Sequence, residues 1–338
     1  MDAYLFNSII YNIYNQIKKY LALFVAMFFV KHLRRKVRNY ILYPERFLHK
    51  YKPSDDLGKY FKYYLSFVAI CKNEGRNLPE WIEFHKLVGV EHFYIYDNNS
   101  TDNTREVLDS YIKDGIVTYI KYSGRAKQVP AYNDAIKNFK SETKWMGFFD
   151  LDEFITPIIT KTVSDFLTDF ESYPGLALDW VFYGDNYQTH IKKGLVIERF
   201  TKHQNITDKN QIVFGKVIVN PRCVSLMFVH LAYFRNNATS VNPNHEPLPF
   251  HYSPVGADPH LNCVDKIRIN HYYFKSEEEW LMKAKRGVAD AFDYKVREAE
   301  LMKNWKQSLH ACNDIEDDIM TKYVPLIKKA LKKRGLIN

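Results

Sequence analysis

Cysteine is scarce in this chain of 338 residues: there are four, Cys71, Cys223, Cys263 and Cys312, all far apart. No two have the close spacing of zinc ligands, and nothing matches a small disulfide scaffold, so a reducing compartment is the simpler reading. Long apolar runs are missing as well. Leu21 to Val30 is wholly apolar but much shorter than the ~20 residues a spanning helix needs. No small-residue cleavage site follows it, so the segment is expected to be retained. Internal repeats, low-complexity tracts and nucleic-acid-binding motifs are also lacking, which sets aside solenoids, linkers and nucleic-acid partners.

What the chain does have is a globular composition, 46% hydrophobic and 26% charged, with 25 Tyr and 23 Phe. Its length allows one large domain or two small ones. The formal net charge of +9 favours anionic partners such as phosphates or acidic headgroups. Lys31-His32-Leu33-Arg34-Arg35-Lys36-Val37-Arg38 directly follows the apolar run and suits anionic lipid. Residues 1–50 are therefore expected to form a helical segment lying on a membrane surface. That would place the protein on a cytoplasmic face as a peripheral or monotopic protein. If the helix instead packs on the following domain, the protein is simply cytoplasmic.

A polar connection at Tyr51 to Asp56 marks a boundary. Beyond it the pattern alternates: strand Leu65 to Ile70, helix Leu78 to Val88, strand Phe93 to Tyr96, helix Asp102 to Ile112, strand Gly115 to Ile120, helix Pro130 to Phe139, strand Trp145 to Phe149. Strand-helix repetition predicts an α/β fold with a mainly parallel sheet, ligands gathering at the carboxyl ends of the strands. Later segments near Leu176 to Tyr183, Ile212 to Val219, Met227 to Phe234 and Lys266 to Phe274 read as strands, and helices are expected from Ser276 onward. The domain reading is a catalytic region over 62–290 and a C-terminal helical extension over 291–338.

Asp150-Leu151-Asp152-Glu153 follows the strand ending at Phe149, so its carboxylates emerge together at the rim of the sheet. Hard divalent cations take oxygen ligands of this kind, and in an extended segment Asp150 and Asp152 point to the same side. An isolated Asp-x-Asp is more often a solvated acidic turn; its place after a buried strand reverses that preference. The first strand runs into Lys72-Asn73-Glu74, a polar loop suited to a base, ribose or phosphate, or else an ordinary connection in which Asn77 caps the next helix. At the end of the second strand, Asp97 suits a hydrogen bond to a base or ribose, while Asp102 or Ser100 is placed to cap.

Taken in order, Lys72-Asn73-Glu74, Glu80-Trp81-Ile82-Glu83-Phe84-His85, Gly89-Val90, Tyr96 to Asp102 and Asp150 to Phe154 resemble glycosyltransferase family 92. The likeness continues more thinly through Gln128 with Ala131-Tyr132-Asn133, Lys216, Asn270-His271-Tyr272, Lys275-Ser276 and Glu278. It implies a GT-A nucleotide-sugar-binding fold and a nucleoside-diphosphate sugar donor, a UDP-sugar first, with galactose as the sugar. A manganese or magnesium ion on Asp150 and Asp152, and inversion at the anomeric carbon, are implied too. On that basis Lys72, Asn73, Glu74, Asp97, Gln128, Asn133, Asp150 and Lys275 are candidate donor-binding residues, with His271 as a third metal ligand. The acceptor is expected to be a saccharide or a lipid-linked one.

One stretch departs from the family pattern of Trp-x-x-Phe-Gly followed by small residues and a second Gly. Here it reads Trp180-Val181-Phe182-Tyr183-Gly184-Asp185-Asn186-Tyr187, so the acceptor pocket is expected to differ. Inversion by direct displacement needs a proton-accepting group, and Asp185, Asp179 and Glu278 are its candidates. Two rival readings stand beside the transferase. One is a haloacid dehalogenase-type phosphatase with Asp150 as nucleophile; against it, Phe154 replaces the usual Thr or Val. The other is a noncatalytic membrane-attached sugar-nucleotide-binding protein.

Overall fold

The computed structural model describes residues 51–206, 215–248, 263–286 and 312–338. The alternating region forms β1 (Tyr63–Cys71), α1 (Leu78–Leu87), β2 (His92–Asp97), α2 (Thr104–Lys113), β3 (Val117–Lys121), α3 (Gln128–Phe139) and β4 (Thr143–Phe148). After a tight turn come β5 (Glu153–Pro157), α4 (Val163–Leu167), β6 (Gly175–Phe182), α5 (Val196–Arg199), β7 (Lys202–His203) and β8 (Gly215–Val219). The rest comprises β9 (Val224–Met227), β10 (Ala232–Phe234), β11 (Ile267–His271), α6 (Glu277–Arg286), β12 (Ile315–Glu316) and α7 (Val324–Lys333).

Eight strands form one sheet in the order β3-β2-β1-β4-β8-β6-β11-β5. The first four are parallel neighbours; β8 runs antiparallel to β4 and β6, β11 parallel to β6, and β5 antiparallel to β11. This is the mixed, mainly parallel α/β architecture expected. Strand β1 is nearly continuous in apolar residues because both of its faces are covered. Leu65, Phe67 and Ala69 belong to the core shared with Trp81, Phe84 and Leu108 of α1 and α2, while Val68 and Ile70 pack with Ala131, Tyr132 and Ala135 of α3. Each large apolar side chain so buried contributes about 1.5–3 kcal/mol.

Several local expectations are corrected. Asn77 and Asn103 hold the N-cap positions of α1 and α2 without making capping bonds. The Asn77 amide instead donates to Glu74 at 2.6 Å, whereas Asp102, expected to cap α2, does accept from the Thr104 amide at 3.0 Å. The strand expected over Met227 to Phe234 is split by a turn into the β9–β10 hairpin. Strand β12 interrupts the helical C-terminus by pairing with β7. The C-terminal α7 packs on the domain through Ile327 and Leu331, and Arg334 donates to Glu83 at 2.7 Å and Asp114 at 2.9 Å. No helix among the described residues is long and apolar enough to cross a membrane; the membrane segment expected over 1–50, and residues 291–311 of the C-terminal extension, lie outside them.

Candidate active site

The site is set from behind by α1. Trp81 and His85, one turn apart on the same helix face, both grip β5. The Trp81 indole N–H donates to Glu153 O at 2.9 Å, and the Ile155 amide donates to His85 Nε2 at 3.2 Å. His85 Nδ1 donates to Trp81 O at 2.8 Å, which fixes the neutral tautomer, and burial drives its pKa down to about 3. Glu80 accepts from the Val196 and Ile197 amides at 2.7 and 3.0 Å. The stretch Glu80 to His85 is thus scaffolding that positions the turn Asp150 to Glu153.

In that turn the two aspartates have separate environments. Asp150 accepts from Gln128 Nε2 at 2.8 Å and from Lys216 Nζ at 3.0 Å, and its amide donates to Glu153 at 2.9 Å. Burial opposes its charge, but Lys216 outweighs this and holds the carboxyl below its usual range. Lys216 is wholly enclosed, yet Asp150 and Glu153 keep its ammonium charged against burial. Glu153 is fully buried, 3.9 Å from Lys216, and burial pushes its carboxyl well above the usual range. With its side chain 36% exposed, Asp150 is the member of this group that opens to solvent.

Asp152 is more enclosed. Lys283 of α6 donates to it at 2.6 Å, and His271 Nε2, at the end of β11, lies 3.5 Å from its other oxygen. Burial is again outweighed, here by Lys283 and His271, so Asp152 stays well below the usual carboxylate range. Burial lowers the His271 pKa even beside Asp152, leaving the neutral imidazole a metal ligand needs. Its Nδ1 is enclosed without a hydrogen-bond partner among the described residues. The ring packs against Trp180 at 4.6 Å and Phe182 at 5.1 Å.

Two carboxylates and a neutral imidazole are a chemically suitable donor set for manganese or magnesium. Among the described residues no three His, Cys, Asp or Glu side chains are assembled into a ready-made cage. Cations of this type are commonly held by one or two carboxylates plus substrate phosphates and water. The residues present fit that arrangement.

The loops that follow β1 and β2 are tied to each other. Asn73, at φ 55, donates its amide to Ser100 Oγ at 2.9 Å and accepts from the Thr101 amide at 2.8 Å. The Glu74 amide donates to Thr104 Oγ1 at 3.0 Å, and the Gly75 amide to Asp102 at 3.0 Å. A Cβ at Gly75 would stand 2.2 Å from Asn103 Oδ1, so the approach requires glycine. Asp97 accepts from the Ser100 amide at 2.9 Å and from the Tyr119 hydroxyl. Lys72 is exposed beside this rim.

The other expected residues each have partners or neighbours of their own. Asn133 is committed to β9, accepting from the Met227 amide at 2.9 Å and donating to Met227 O at 2.7 Å. Asp185 accepts from Asn313 at 2.8 Å and the Tyr187 amide at 2.9 Å, and is buried. Strand alternation sends Asp179 to the face opposite Trp180 and so away from His271. Burial raises its pKa to about 7 against a hydrogen bond from the Cys263 amide. Glu278 sits half exposed at the start of α6 and accepts from the Ile191 amide at 2.9 Å. Lys275, at φ 53, is close enough to Asp152 to favour its ionised form. Lys283 and His230 were not anticipated from sequence: no local motif surrounds either, and both reach the site through tertiary packing.

A mixed α/β sheet with an acidic turn at the carboxyl end of an internal strand is an architecture shared with nucleotide-binding α/β proteins, whose ligands gather at that edge. Residues 72–297, more than half the chain, match Glycosyltransferase family 92, and the chain belongs to that family. A family 92 protein of Arabidopsis thaliana is 33% identical over 241 residues, covering 68% of this chain and 38% of that protein. Another from Oryza sativa subsp. japonica is 25% identical over 198 residues, covering 56% and 34%. A galactan beta-1,4-galactosyltransferase of Arabidopsis thaliana is 25% identical over 195 residues, covering 52% and 38%. The matched regions thus span little more than a third of the length of these relatives.

Proposed function

We propose that this chain carries the catalytic domain of a metal-dependent, inverting glycosyltransferase of the GT-A type. It would move a sugar from a nucleoside-diphosphate donor to a saccharide or lipid-linked acceptor. The observation that carries the reading is the convergence of Asp150 and Asp152, from the turn between β4 and β5, with His271 of β11 at one end of the sheet in a chain of family 92. The named galactosyltransferase relative supports galactose as the sugar transferred.

In this reading Asp150, Asp152 and His271 would hold a manganese or magnesium ion, and such an ion would supply Lewis-acid stabilisation of the charge on a departing diphosphate. The chain's own residues do the rest. Lys216 keeps Asp150 ionised, and Lys283 does the same for Asp152. The joined loops at Asn73 and Ser100, with Asp97, form the rim for the nucleoside. Residues 62–290 form the catalytic part, 291–338 the C-terminal extension, and 1–50 lean on an anionic membrane at the cytoplasmic face. A phosphatase with Asp150 as nucleophile is disfavoured by the family 92 match and by Phe154 standing where that class carries Thr or Val.

A panel of UDP- and GDP-sugars with manganese, read as nucleotide release, tests the proposal. Asp152→Ala is expected to lose about 100-fold or more in rate. Turnover that needs no divalent cation and survives the substitution would overturn it.

A further inference from the structure

Direct displacement needs a group that takes the acceptor's proton, and the three acids expected for it each already accept a hydrogen bond. Asp185 is bound by Asn313, Asp179 by the Cys263 amide, and Glu278 by the Ile191 amide. His230 is placed differently. It lies in the turn between β9 and β10, closed by the Phe228 amide donating to Leu231 O at 2.8 Å. Its Nδ1 is 3.2 Å from Gly215 O, which can only accept, so Nδ1 carries the hydrogen and Nε2 presents a lone pair. No hydrogen bond from a described residue occupies Nε2.

The His230 ring meets the edge of Trp180 at 5.2 Å and 85°, and Trp180 also packs on His271 at 4.6 Å. One indole therefore stands between the imidazole of the cation set and a second imidazole at the same end of the sheet. Among the described residues, the charged or titratable groups acting on His230 are Lys216 of β8, Asp150 after β4 and His271 of β11. Burial and Lys216 drive the pKa of His230 down to about 4, so the resting ring is neutral.

We infer that His230 is the general base of the transfer, taking the acceptor hydroxyl's proton at Nε2; this rests on the glycosyltransferase reading above. The acceptor O–H bond breaks, its proton passes to Nε2, and the oxygen bonds the anomeric carbon. The bond from that carbon to the diphosphate oxygen breaks, its electron pair leaving with the nucleoside diphosphate. Asp150 offsets the charge of the imidazolium, which then returns its proton to water.

The test uses the full chain and the donor that wild type turns over in the sugar-nucleotide panel. His230→Asn keeps an amide donor for Gly215 O, and His230→Ala opens space for added imidazole. Both are expected to lose about 100-fold in kcat, to bind UDP with manganese in calorimetry as wild type does, and to unfold at the wild-type temperature. Imidazole should restore part of the rate to His230→Ala. Near-wild-type turnover in either variant, a loss of UDP affinity matching the loss of rate, or intact UDP binding with no imidazole rescue would overturn the assignment. A wild-type chain that neither binds UDP nor releases it from any donor fails the underlying reading instead.

Discussion

Strands β1 to β3 end in loops whose polar groups are tied mainly to one another, whereas the strands from β4 onward deliver ionised side chains that meet across the fold. In the first region Asn73, Glu74 and Gly75 bond Ser100, Thr104 and Asp102 over about thirty residues of sequence, mostly through backbone amides. In the second, Asp150 meets Lys216 and Asp152 meets Lys283, partners 66 and 131 positions away. The first region gains shape at little electrostatic cost. The second buries charge, which is tolerable only because each carboxylate has a close cation.

Breaking the charged region should have the largest effect. Lys216→Met leaves Asp150 beside the buried Glu153 without a cation, and we expect a loss of about 3 kcal/mol by denaturant unfolding. That figure is the low end of the usual range, because Asp150 is partly open to solvent. Nucleotide release should fall with it. An unchanged midpoint would show that the buried pair is electrostatically neutral to the fold.

The loop region should respond through sterics instead. Gly75→Ala forces Cβ to 2.2 Å from Asn103 Oδ1 and 2.9 Å from the Thr104 amide. A destabilisation of about 2 kcal/mol is expected, with weaker UDP binding by calorimetry. Full UDP affinity in this variant would detach these loops from the nucleoside.

Acid should act on the first region through its neutral histidines. Burial lowers His85 to about 3 and His92 to about 4, below the ordinary histidine value. Each takes up a proton on unfolding below about pH 6.5, so its contribution is complete above that pH and is lost as pH falls toward the folded value. The slope is about 1.4 kcal/mol per pH unit for each histidine. Unfolding free energies of wild type and His92→Gln measured at pH 7 and pH 5 check this; the variant should lose about 2 kcal/mol less than wild type over that interval.

The smallest effect is expected from Trp81→Phe, which keeps the ring but drops the 2.9 Å bond to Glu153 O. The cost should be about 1 kcal/mol. If β5 is positioned by that bond, kcat will fall by more than stability alone explains. Equal kcat in the folded fraction would assign the role to packing instead.

The alternating pattern from Leu65 to Phe149 was legible because strands covered on both faces must be apolar and amphipathic helices must repeat at their own period. The Asp150–Asp152 turn was legible for the same reason, being the polar interruption directly after a buried strand. Trp81 and His85 were visible as members of a motif, but their grip on β5 was not. A hydrogen bond to a backbone atom 70 or more positions away leaves no mark on residue type. Asp179, Asp185 and Glu278 drew attention as acids near the expected acceptor stretch. The neighbours Asn313 and Ile191, which sequence spacing does not reveal, engage Asp185 and Glu278, and strand alternation turns Asp179 to the face opposite Trp180.

By itself the sequence determined the strand and helix order of the first half, the mixed α/β class and the place of the acidic turn, all set by short-range periodicity and burial. Only the tertiary structure decided which cations neutralise Asp150 and Asp152, that Asn133 serves β9, and that His230 shares Trp180 with His271. The reason is physical: charge pairing and ring contact depend on distance in space, and the antiparallel return of β8, β5 and the β9–β10 hairpin sets those distances without any local signal.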